Sequence, residues 1–275
     1  MKRDRLAAVM LAAVMLLGLA ASAGATDGTI EINQAKVLAA GGFPFAISTL
    51  GSYRLTSNLT VPPGQVGIEV TATGSGGVTI DLNGFSIIGP GTNSGFAGIL
   101  DAPSTAITVE NGTVAGFSAT DAVGVGADGP DAIVKNVQAD NNFFGIIVGS
   151  LSLIEGCTAN QNSGGFGIEC NQADCTITGN VASGNKTDGI LCLFGCTISG
   201  NAASSNQSDG IHCGVPGNGP SGCLISNNTA NNNTSNGIFA LDASTGYRGN
   251  VLTANGTQVS GGISLGNNLC NGTAC

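Results

Sequence analysis

The stretch CTITGNVASGN at 175–185 is followed by CTISGNAASSN at 196–206 and CLISNNTANNN at 223–233. Each segment opens on Cys, places Ile two residues later, and carries Asn at its sixth and eleventh positions. Self-similarity at a fixed period marks a repeat architecture, and it governs how the surrounding residues are read. Outward from these segments, Gly-Ile or Gly-Val recurs at 67, 98, 124, 145, 167, 189, 210, 237 and 262. The central spacings are 21, 22, 22 and 21 residues, and the flanking ones lengthen to between 25 and 31. Aligning Val134, Ile154, Ile177, Ile198 and Ile225 brings Asn180, Asn201 and Asn228 into one column. Asn142, Asn162, Asn185, Asn206 and Asn233 fall into a second, and Asn250 and Asn255 continue the two.

A coil of about 21 residues accommodates three short strands and three turns, and successive coils then pair as parallel strands about 4.8 Å apart. Asn tolerates the left-handed conformation of sharp turns. Stacked in register, each Asn amide can donate to the carbonyl of the next, forming a ladder. Ile, Val and Ala alternate with polar residues at period two, which suits a narrow interior. A helical solenoid would need a 3.6-residue period and helix-forming composition, and neither is present. The expected fold is all-β: a right-handed parallel β-helix solenoid of roughly nine coils, one for each Gly mark.

Composition agrees. The 275 residues include 45 Gly and no Trp, with 9% charged and 42% apolar residues. Globular domains average about 25% charged residues and about 7% Gly. At the N-terminus, Lys2, Arg3 and Arg5 precede the apolar run LAAVMLAAVMLLGLA and a small-residue stretch ending ASAGA. This is the pattern of a Sec-type signal peptide over 1–25. Residues 26–60 are expected to form an N-terminal cap, with NQAKVLAAG at 33–41 as a short helix. Residues 61–265 would form the β-helix and 266–275 a C-terminal cap, since an open stack end exposes core and strand edge. No later run reaches the roughly 18 apolar residues of a membrane span. The expected location is secreted, periplasmic or at the cell surface.

Without residues 1–25 the chain keeps 5 Lys+Arg against 16 Asp+Glu, a net charge of −11. That excludes nucleic acid and anionic membrane as partners, because both need basic patches. A polyanionic glycan would be repelled unless cations bridged it. The sequence sets no oligomeric state.

Nine cysteines in an exported chain imply disulfides with one thiol left over. Cys170, Cys192 and Cys213 lie two residues after a Gly-Ile isoleucine, and Cys175, Cys196 and Cys223 open the following strand. Pairing across one turn gives Cys170–Cys175, Cys192–Cys196 and Cys213–Cys223, with Cys270–Cys275 in the C-terminal cap. Pairing along a column between adjacent coils is also geometrically open. Cys157 falls in the first Asn column and would stay a buried thiol. With a single His in the chain, the cysteine spacing does not make a zinc site, so no metal and no cofactor is expected.

The repeat segments resemble the parallel β-helix repeat family, and the likeness covers roughly residues 60–265. GSYRLTSNLTVP (51–62) and VTIDLNGFSIIGPG (78–91) look like the entry coils of its exported bacterial members of unassigned activity. That family includes pectate lyases, polygalacturonases and alginate epimerases, so the resemblance implies an extended surface suited to polysaccharide. The candidate site is Asp188 (KTDGIL), Asp209 (QSDGIH) and His212, the two carboxylates occupying one repeat position in adjacent coils. Carboxylates about 4.8 Å apart could share a proton for acid/base work on a glycosidic bond. The arrangement is similar to polygalacturonase segments, but the Gly-His-Gly turn and Arg-x-Lys pair of those enzymes are absent. The Asp-Pro-His signature of alginate epimerases is absent too. Asp before Gly is also ordinary turn chemistry. The leading expectation is a non-catalytic exported β-helix that binds a polysaccharide or cell-surface glycan or serves as an envelope or adhesion module. The alternative is a polysaccharide hydrolase or lyase using Asp188 and Asp209.

Overall fold

The computed structural model describes residues 28–74, 76–92, 96–101, 106–215 and 220–275; the expected signal peptide lies outside them. The chain winds as a right-handed parallel β-helix of about ten turns with three faces per coil. The third face is a continuous sheet of ten strands, from Phe45–Ile47 through Ile190–Phe194 and Ile211–Cys213 to Thr257–Ser260. The first and second faces join into one 20-stranded sheet, because two strands run across the corner between them. These are Ala106–Phe117 and Ile133–Gln138.

Register explains the sequence columns. On the first face Val109, Val134, Ile154, Ile177, Ile198 and Ile225 stack inward. On the third face Ile146, Ile168, Ile190, Ile211 and Ile238 do the same. The second face narrows the coil: Leu59, Ile87 and Val114 give way to Ala159, Ala182, Ala203 and Ala230, all buried. In the lower coils two large branched side chains and one methyl share the interior with the corner cysteines and the ladder asparagines.

The glycine column is steric. A Cβ at Gly189 would lie 2.8 Å from the Gly210 carbonyl oxygen and 2.6 Å from the Asn206 amide nitrogen. The same approach repeats at Gly124, Gly167, Gly210 and Gly237. The last mark departs from the column. Gly237 faces Gln258, while Ile263 pairs with Gly246 on the first face, so the final coil is shorter than its Gly-Ile suggested.

Both Asn ladders form. Asn180, Asn201, Asn228 and Asn250 donate in succession along the first, each to the next Oδ1 at 3.0–3.1 Å, and Asn268 closes the series. Asn162, Asn185, Asn206 and Asn233 do so along the second, ending on Asn255 at 2.9–3.0 Å. Asn142 heads this ladder: its backbone N–H donates to Asn162 Oδ1, and its own Oδ1 accepts from Phe117 N–H. The ladder Asn is not itself the left-handed residue of the turn. That conformation falls one position earlier, at Gly179, Gly200 and Asn227 in the first turn and at Gly184, Ser205 and Asn232 in the second. The preceding residue bends the chain, and the Asn satisfies the backbone groups that the bend releases.

Parallel stacking begins at Ile30–Ile32, which pairs with Gly51–Leu55, so coil structure reaches into the segment read as a cap. The helix Gln34–Ala39 replaces the second-face strand of that first coil. Asn33 caps it, accepting from Lys36 N–H at 2.9 Å, and Val37 fills the interior. Gln34 Oε1 accepts from Thr60 N–H at 2.8 Å, which satisfies an edge group of the coil beneath. At the other end Leu269–Cys270 and Thr273–Ala274 pair antiparallel.

Disulfides join Cys170–Cys175, Cys192–Cys196, Cys213–Cys223 and Cys270–Cys275. The first three cross the interior corner from third face to first, in successive coils. One coil up, that corner holds Val148 and Ser152; one coil down, Ala240 and Thr245. Cys157 is free and buried, and burial pushes its thiol up to about 11.

Candidate functional site

The turn entering the third face carries one column whose members change character along the stack: Phe144, Phe166, Asp188, Asp209 and Asn236. Parallel pairing fixes their spacing near 4.8 Å, so the column spans roughly 19 Å. The Phe144 and Phe166 rings stack with centroids 6.0 Å apart, and Phe143 meets Phe144 edge-on at 4.9 Å. Beside this column run the outward residues of the third face, among them Glu169, Leu191, His212 and Phe239.

The structure brings Asp188, Asp209 and His212 together. His212 Nδ1 lies 3.2 Å from Asp188 Oδ2 and 3.2 Å from Asp209 Oδ2. It makes a directed hydrogen bond to neither. Both aspartates are buried, while the imidazole keeps 22% of its surface exposed. Backbone groups hold the opposite carboxylate oxygens: Asp188 Oδ1 accepts from Asp209 N–H at 2.8 Å. Asp209 Oδ1 accepts from Asn236 N–H at 2.8 Å and from Asn236 Nδ2 at 2.7 Å. Each acid therefore ties one coil to the next, as a turn Asp does. On the far side of the ring, Nε2–H donates to the Gly214 carbonyl at 2.9 Å, and Phe239 stands 4.6 Å from the ring centre.

Electrostatics follow from that geometry. Burial alone would lower the imidazole, but the two carboxylates outweigh it and hold His212 at about 9. Burial would likewise raise Asp209, yet the His212 contact and the Asn236 donors bring it below the usual carboxylate range. A shared-proton dyad requires one carboxyl pushed upward; here the proton sits on the imidazole.

Three carboxyls that the sequence did not single out are raised instead: Asp140, by burial, and more strongly Asp101 and Glu169. Asp101 occupies an inward position in register with Val70, and both its oxygens are buried without a partner. Burial, with the Asp128 charge adding to it, pushes it up to about 7. Glu169, on the outward column, is pushed up to about 7 by the same two causes. Asn171 donates to Asp128 Oδ1 at 2.8 Å beside them. These acids come from three separate coils and share no motif, so only register could have assembled them.

The family description "Right handed beta helix region" matches residues 66–218, more than half of the chain. The chain belongs to the right-handed β-helix family. Among solved structures, a mutant of the periplasmic alginate epimerase AlgG matches this β-helix with a TM-score of 0.55 at 16% identity. The match covers 78% of this chain and 64% of that one, so this β-helix spans less than two thirds of the epimerase. The Dettilon tailspike protein matches at TM-score 0.42 and 14% identity, over 89% of this chain and 62% of that one. The Azotobacter vinelandii mannuronan C-5 epimerase AlgE6 A-module matches at 0.31 and 12%, over 82% of each chain. At these identities the likeness is one of fold. No curated protein sequence matches the chain. Among the described residues no helix is long and apolar enough to cross a membrane.

Proposed function

We propose that this β-helix is an exported protein that binds an extended polysaccharide along the turn entering its third face. The observation that carries the reading is the mixed column there, in which stacked Phe144 and Phe166 continue directly into Asp188, Asp209 and Asn236. Aromatic faces take up the apolar side of a sugar ring, and the partly exposed amide of Asn236 at the end of the column can accept from its hydroxyls. Four disulfides fit an oxidising compartment. A chain with so few basic residues would favour a neutral glycan over a polyanion.

The aspartates support binding better than hydrolysis. Each is buried and held by backbone donors, and Asp209 is kept below the usual carboxylate range beside an imidazole that carries the proton, so it is not free to protonate a leaving group. Glycan cleavage remains a second reading because of Glu169, an outward carboxyl that keeps its proton near neutral pH, as a general acid must. One experiment separates the two. Purified oxidised protein is run through affinity gels containing neutral or uronic polysaccharides, and the same polymers are assayed for new reducing ends. Retardation by a neutral polymer, lost in Phe144→Ala/Phe166→Ala and without chain cleavage, is the expected result. Cleavage abolished by Glu169→Gln would replace binding with catalysis, and retardation by none of the polymers would end the polysaccharide reading.

A further inference from the structure

Among the described residues, His212, Asp188 and Asp209 each offer a potential ligand atom within 4.8 Å of the others, and His212 Nδ1 lies 3.2 Å from both Oδ2 atoms. Each is oriented from behind. The Nε2–H bond to Gly214 O turns the Nδ1 side of the ring toward the aspartates, and a ligating histidine is commonly fixed by such a bond. The Asp209 and Asn236 backbone N–H groups occupy the Oδ1 atoms and leave both Oδ2 atoms for the shared point. Nδ1 is buried and faces two carboxylates that are each only 5% exposed, so a metal ion bound there would displace the proton that the imidazole holds between them. The spacing is also informative. Ligand atoms about 2.0–2.1 Å from a tetrahedral zinc ion stand about 3.3 Å apart, and both nitrogen–oxygen distances here are 3.2 Å.

We propose that Asp188, Asp209 and His212 form a binding site for one zinc-class divalent ion, with its fourth coordination position open. The set of one nitrogen and two oxygens suits zinc and its transition-metal neighbours. Calcium is a poor fit, since it takes six to eight oxygens at about 2.3–2.6 Å. The other convergent group, Cys170, Cys175 and Cys196, is consumed by disulfides. The inference does not depend on the polysaccharide reading.

The test uses full-length oxidised protein purified without a histidine tag and stripped with chelator. Because the chain has a single His, its imidazole nitrogen resonances are unambiguous. Added zinc is expected to shift the Nδ1 resonance at one ion per chain, while added calcium leaves it unmoved. His212→Gln should abolish tight zinc binding. Asn236→Ala, which removes only a side-chain support of Asp209, should weaken it by about 10–100-fold. An imidazole spectrum unchanged by excess zinc would overturn the proposal, and this readout needs no variant to fold. Undiminished zinc binding in His212→Gln or in Asp188→Asn/Asp209→Asn would overturn it equally.

Discussion

The upper and lower coils of this solenoid turn the same corner by different means. Above, Ala106–Phe117 runs uninterrupted from first face to second, and the interior is filled by Leu59, Ile87, Val114 and Phe117. Below, each coil breaks into three-residue strands, as at Thr176–Thr178 and Val181–Ser183, with a ladder Asn at each break. There the facing residue shrinks to Ala, and a disulfide spans the third corner in three successive coils. The upper coils depend on apolar burial, which is non-directional and tolerates exchange. The lower coils bury less hydrocarbon and depend on polar groups that must all be satisfied at once. The two regions should therefore respond oppositely to small polar and small apolar substitutions.

The largest contrast is expected at the ladder. Asn206→Ala removes the acceptor of Asn185 N–H and of Asn185 Nδ2, and the donor to Ala182 O. Orphaned buried groups cost about 1–3 kcal/mol each, so a loss on the order of 4 kcal/mol should appear in urea unfolding. Ile87→Val in the upper coils should cost only about 1 kcal/mol. Near-equal losses would show that the two corners are energetically alike. Next in size is the disulfide stack. Replacing Cys192 and Cys196 with Ala releases a short loop, for which the chain-entropy relation gives about 2 kcal/mol. Hydrogen exchange should locate that loss in the coils around 175–233 and leave 78–117 protected as before; uniform deprotection would mean that the solenoid unfolds as one unit.

The lower coils were legible in sequence and the upper coils much less so, for a physical reason. A ladder tolerates only Asn and a close backbone approach only Gly, so both leave fixed letters at fixed spacing. An apolar corner accepts Leu, Ile, Val or Phe, and the Gly marks beside it stand 31 and 26 residues apart, so only the glycines at 67 and 98 keep a column there. The left-handed residue of each turn was hidden because Gly179, Gly184, Ser205 and Asn232 have no common identity. Asp188, Asp209 and His212 could be grouped because two of them share a repeat position. What they do there was not legible, because the backbone donors and the Gly214 carbonyl that orient them follow from register rather than from residue type. Asp101 and Glu169 were missed for the same reason.

Asp101 carries a pH dependence that belongs to the upper coils. Its folded value is about 7 against an ordinary 3.8, so the folded chain holds a proton that the unfolded chain has already released. Stability should then be greatest below about pH 4, fall as pH rises toward 7, and level off above it. Thermal unfolding should occur at higher temperature at pH 5 than at pH 8, and Asp101→Asn should flatten that difference. A slope unchanged by the substitution would assign it elsewhere, with Glu169, raised in the same direction, the next to replace.

The smallest effect is expected where the two regions meet. Lys135 lies in register between Glu110 above and Glu155 below, and its ammonium reaches Glu155 Oε2 at 3.2 Å with both side chains substantially exposed. Exposed pairs contribute about 0.2–1 kcal/mol. Without the lysine, the two glutamates would face each other two coils apart, roughly 10 Å, which is about one Debye length at moderate salt. Lys135→Ala should therefore cost about 0.5 kcal/mol at low salt and almost nothing at high salt. It should also add simply to Asn206→Ala, since the two sites share no partner. A larger or non-additive loss would mean that the junction is held by charge, and that the coils on either side are coupled through it rather than through the continuous backbone ladder of their shared faces.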